Sequence, residues 1–183
     1  MNATTGRPSL YLRWTGALIL VSFGWLAILL ELAPLNEAAS ALPSPDILFC
    51  VVAFLVMRRP GGAPGVLILT LGLARDLLGG GPVGLGALTL LAAAETLRYL
   101  AEPLRRRSRI YEFASIAVLA GLISIAHVVI LTMSFAAVPP LDILAMRLVM
   151  TVGAYFIVFF FFRQVLRIRA ERLGDRRFGR AGG

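Results

Sequence analysis

Residues 72–88 read GLARDLLGGGPVGLGAL, and this stretch decides the fold. An apolar run carries Arg75 and Asp76, breaks at Gly79-Gly80-Gly81-Pro82, and restarts as a second apolar run. Glycine reaches backbone angles that other residues avoid, so the break can turn tightly. Proline suits the first turn of a helix, where its missing N–H is not needed, so Pro82 is expected to open the next helix. The stretch predicts two helices joined by a tight hairpin. A charged pair inside such a hairpin is costly in hydrocarbon and needs a local partner or a task.

The rest of the chain sets the class. Hydrophobic residues make up 58% of the 183 residues, well above the share in a soluble domain of this size. Several apolar runs approach the roughly 20 residues needed to cross about 30 Å of hydrocarbon. The expectation is an all-α integral membrane protein. It has a short N-terminal segment (1–14), a single domain of about six spans (15–162) and a basic tail (163–183) expected to be disordered. The spans are placed near 15–32, 45–57, 64–78, 83–100, 110–135 and 141–162. Glu102-Pro103 and the arginines after them are assigned to a loop.

The formal net charge is +8, and every basic residue is arginine. Such a balance could indicate nucleic acid. These arginines lie between apolar runs, so they read as an orientation signal and not as a nucleic-acid surface. Arg58 and Arg59, then Arg98, Arg105, Arg106, Arg107 and Arg109, then the tail fall on one side of a six-span chain, with Arg7 and Arg13. Only Arg75 and Arg147 stand apart. By the positive-inside rule both termini are expected to be cytoplasmic. The first apolar run exceeds the roughly 7–15 residue core of a cleaved signal peptide, so it is expected to stay as an anchor. Cys50 is the only cysteine, which excludes an intramolecular disulfide and a thiolate metal cluster.

The segments PDILFCVVAFLVMRRP and GLARDLLGGGPVGLGALTLL resemble MreD, the membrane component of the bacterial rod-shape system. The motif positions are Gly72, Leu73, Asp76, Leu77, Leu78, Pro82, Gly84, Leu85, Ala87 and Leu88; Arg75 departs from the apolar residue common there. The resemblance implies a non-enzymatic protein of the bacterial inner membrane that binds an MreC-like single-span partner. Through it the protein would serve the filament-forming MreB, a RodA-type glycosyltransferase and a class B penicillin-binding transpeptidase. It also implies a fold similar to the substrate-binding component of energy-coupling-factor transporters, so a vitamin-type transport component is the second reading.

The site residues singled out are few. Gly72, Asp76, Gly80, Gly81, Pro82 and Gly84 form a structural or partner-contact motif, and Arg75, Glu95 and Arg98 are possible polar contacts. Asp76 is read either as a helix-end carboxylate held by the hairpin's N–H groups or as a contact to partner or lipid. Arg75 is expected to reach lipid headgroups. Glu95, Arg98 and Glu102 share a helical face, with Arg98 expected to reach along the surface to water. His127 is expected to hydrogen-bond a neighbouring helix. The arginine clusters are expected to attract anionic lipid. No nucleophile, metal or phosphate-loop arrangement occurs, so neither catalysis nor a cofactor is expected.

Overall fold

The computed structural model describes residues 10–32, 43–80, 82–105, 109–133 and 140–164. The expected N-terminal segment and basic tail therefore lie, apart from their helical edges, outside the described residues. Six α-helices are described: α1 (Leu10–Leu32), α2 (Ile47–Arg58), α3 (Gly65–Gly79), α4 (Leu85–Arg105), α5 (Arg109–Met133) and α6 (Leu141–Gln164). A single 3₁₀ turn, Pro60–Gly62, joins α2 to α3. No strand occurs among the described residues.

Each expected apolar run forms one helix, with two corrections at the boundaries. Helix α4 runs through Glu102 and Pro103 to Arg105 instead of ending before them. It also begins at Leu85, so Pro82 lies ahead of the helix and not in its first turn. The Pro82 carbonyl accepts from Leu85 N–H at 3.3 Å.

Three segments among the described residues are long and apolar enough to cross a membrane: Trp14–Leu32, Ile110–Met133 and Leu141–Gln164. Helix α2 has 12 residues. At 1.5 Å per residue it covers only about 18 Å. It is apolar on every side, and a helix of that kind must be buried on every side. Leu48 to Met57 are all buried, with α1, α4 and α6 packed around them. The Asp46 carboxylate starts α2 by accepting from Phe49 N–H at 2.9 Å. Pro60, which cannot continue the backbone ladder, follows its end.

Close crossings hold the bundle together. A Cβ on Gly16 would lie 2.6 Å from the Cα of Gly62, so the start of α1 touches the 3₁₀ turn. At the same, arginine-rich end, Arg58 on α2 pairs with Glu112 on α5 at 2.8 Å. Tyr155 on α6 donates its hydroxyl to the same carboxylate at 3.2 Å. The Arg58 guanidinium lies 5.2 Å from the Phe159 ring centre. Phe54, Phe113, Phe159 and Phe162 fill the space beside it, with ring centres 5.1–6.0 Å apart in successive pairs. These contacts place the end of α2, the start of α5 and the end of α6 together. Helices α5 and α6 expose much of their apolar surface, including Val118, Leu122, Ile125, Val149, Phe156 and Phe160.

Candidate functional site

The motif of residues 72–88 builds the hairpin of α3 and α4. Helix α3 ends with Gly80 in the left-handed region at φ 68°, and Gly84 stands at φ 92° before α4. Gly81, between them, lies outside the described residues. Positive φ at two positions reverses the chain within a few residues, which side chains with a Cβ resist. Gly72 then lets the helices meet: a Cβ there would lie 2.6 Å from the Cα of Ala87.

Asp76 completes the joint. Its Oδ2 accepts from Gly84 N–H at 2.9 Å and Ala87 N–H at 3.1 Å. The first N–H groups of a helix have no partner within it, and a polar side chain just before the helix commonly supplies one. Gly84 has no side chain, so the carboxylate comes instead from α3. The negative charge also faces the positive end of the α4 dipole. Gly86 belongs to the same joint, because a Cβ there would collide with Asp76 Oδ1. Leu77, Leu78, Val83 and Leu88 point outward around it, each more than half exposed.

Arg75 points the other way. Its guanidinium binds Glu31 on α1 at 2.7 Å and Asp46, the capping residue of α2, at 3.1 Å. The expectation that Arg75 reaches headgroups is therefore corrected: an inward cation flanked by two carboxylates satisfies its donors inside the bundle. Arg147 on α6 reaches Glu31 Oε1 from the far side at 3.5 Å. Thr151 links the same region to α2, accepting from Asp46 N–H at 3.1 Å and donating to the Arg147 carbonyl at 2.8 Å.

These groups wall a cavity of about 400 Å³ at the end of the bundle opposite the arginine clusters. One wall is the α3–α4 hairpin, with Arg75, Asp76, Gly86 and Thr89; the other is α5–α6, with Ser124, His127, Arg147 and Leu148. Glu31 and Asp46 close it between them. His127 faces this space and makes no hydrogen bond among the described residues, so the expected interhelical bond is corrected to a cavity position. Glu31 Oε2 is buried and has no partner among the described residues.

Glu95 and Arg98 lie at the arginine-rich end and pair directly. Arg98 is drawn inward and not toward water: it also donates to the Ala63 carbonyl at 2.5 Å, tying α4 to the start of α3. Glu102, on the same face, is exposed.

Two features escaped the sequence reading. Glu31 ends an apolar run, and an acid at that place was itself a signal. Glu112 was not connected to Arg58, since 54 residues separate them.

Comparison with family models, with curated proteins and with solved structures finds no match for this chain.

Proposed function

We propose that this protein is an MreD-like, non-enzymatic scaffold of the rod-type cell-wall elongation machinery in a bacterial inner membrane. One observation carries the reading: of the residues that bear the resemblance, Gly72, Asp76, Pro82, Gly84 and Ala87 meet in one capped hairpin. A motif that builds a joint of this kind is a fold signature, and a fold signature is what a family resemblance needs. In this reading all six helices cross the bilayer, with the short α2 sheltered in the centre, and both termini are cytoplasmic. An MreC-like single-span helix docks in the membrane and connects the protein to MreB, a RodA-type glycosyltransferase and a class B penicillin-binding transpeptidase. The outward Leu77, Leu78, Val83 and Leu88 offer that helix an apolar surface. The arginine face holds anionic lipid.

The polar cavity favours a second reading, a substrate-binding membrane component of a small-molecule transporter. Depletion of the protein separates the two. A scaffold predicts wide or round cells with displaced wall synthesis and unchanged vitamin uptake. A transport component predicts normal width and a growth defect relieved by one nutrient. Normal shape in a depleted rod-growing host, with no MreC-like protein recovered in mild detergent, would overturn the scaffold.

A further inference from the structure

The cavity between the α3–α4 hairpin and α5–α6 has a definite charge design. Asp76 is already engaged by the N–H groups of Gly84 and Ala87. Asp46 likewise accepts from Phe49 N–H, and with Glu31 these carboxylates face Arg75 and Arg147 around the cavity. The walls thus carry both signs, three carboxylates and two guanidiniums. A ligand charge of either sign that meets no opposite partner here is expensive away from water. A ligand carrying both signs can set each against a partner of the opposite sign.

Two groups are under-used. Arg147 is 41% exposed, and its contact with Glu31 is 3.5 Å, long against the 2.7–2.9 Å of a strong charged hydrogen bond. Its remaining donors are available to an anion, with the His127 ring and the Ser124 hydroxyl on the same wall. Glu31 has the complementary need, since its Oε2 is buried without a donor. Buried polar atoms in native proteins are nearly always paired, so an exception beside a cavity calls for an explanation. The cavity volume also falls within the range of about 300–1,000 Å³ usual for small-molecule sites.

We infer that this cavity binds a small zwitterion, its anionic group on Arg147 and its primary ammonium on the Glu31 carboxylate. As the anion draws Arg147 away, Glu31 turns toward the ammonium, whose N–H groups supply the missing donor. The glycerophosphoethanolamine unit has this chemistry, either as the headgroup of a phospholipid or as a free water-soluble compound. The inference does not depend on the scaffold reading, because it concerns binding to the purified protein.

The test uses the full chain, purified and delipidated, with four probes. These are ethanolamine and choline phospholipids, and glycerophosphoethanolamine and glycerophosphocholine. Native mass spectrometry and the melting temperature report binding. The ethanolamine form should bind roughly tenfold more tightly than the choline form, whose quaternary nitrogen has no N–H; that is the order of one charge-assisted hydrogen bond. Preference in the lipid pair alone identifies a headgroup, and preference in the soluble pair identifies a free ligand. Arg147→Gln should lose about the same factor. Ser124→Leu, which fills the cavity and touches no ion pair, should abolish the preference if Arg147→Gln fails to fold. Equal binding of ethanolamine and choline forms, binding of neither, or an undiminished preference in folded Ser124→Leu protein would overturn the inference.

Discussion

Asp76 and Glu112 are both carboxylates within helices, yet they do different work. Asp76 accepts two backbone N–H groups, one from the first turn of α4 and one from the residue before it. Removing a capping side chain costs about 0.5–2 kcal/mol. Asp76→Ala should therefore lower the melting temperature of the purified protein modestly. Asp76→Asn, which keeps an acceptor oxygen, should be milder. An Asp76→Asn protein of normal abundance that nonetheless failed to support cell shape would move Asp76 from a structural to a partner-contact role. Glu112 answers a partly buried guanidinium and a buried hydroxyl at once. Glu112→Ala strands Arg58, and breaking one side of such a pair costs about 3–5 kcal/mol. Replacing Arg58 and Glu112 together with leucine should recover most of that loss in thermal unfolding. A double variant no more stable than Glu112→Ala alone would count against the ion pair as the cause.

Among the elements, the α3–α4 hairpin concentrates the constraints. Its turn needs positive φ at Gly80 and Gly84, and its crossing needs a bare Cα at Gly72. A β-branched residue at positive φ costs on the order of 1–3 kcal/mol. Gly84→Val should reduce the yield of monodisperse protein in detergent, measured by fluorescence-detected gel filtration. Gly72→Leu should reduce it further by forcing α3 off α4. Gly61, where an added Cβ meets nothing within 4 Å, is the control, and Gly61→Ala should leave the yield unchanged. If Gly72→Leu behaved like Gly61→Ala, the close crossing would not be what holds the hairpin.

For the whole molecule, the alternating helices separate two polar layers. One holds Arg58 with Glu112 and Arg98 with Glu95; the other holds Arg75 and Arg147 with Glu31 and Asp46. The surplus of arginine belongs to the first, and the proposed orientation puts that layer on the cytoplasmic side. Single cysteines at Ala3, Glu37 and Gly182 in a Cys50→Ala background test this with an impermeant thiol reagent on intact cells. Only Glu37 should label once the outer barrier is permeabilised. Labelling at either terminus, or none at Glu37, would refute the orientation.

The amino-acid sequence by itself determined the helices and their order. Apolar run length, the glycine break and the prolines act locally, over one or two turns, so they can be read without knowing what lies across the bundle. The hairpin at residues 72–88 was legible for the same reason, whereas the structure decided that Asp76, open to two readings, binds the N–H groups at the start of the following helix. Tertiary structure alone decided where Arg75 and Arg147 point. Glu31, Arg75 and Arg147 come from three helices and Asp46 from the cap of a fourth, and they meet only after packing. The same holds for His127, whose immediate neighbours in sequence are apolar and whose cavity is completed by other helices. Charge inside an apolar bundle must find charge of the opposite sign, but the partner is chosen by which helices adjoin, and adjacency is a property of the packed bundle and not of any segment of the chain.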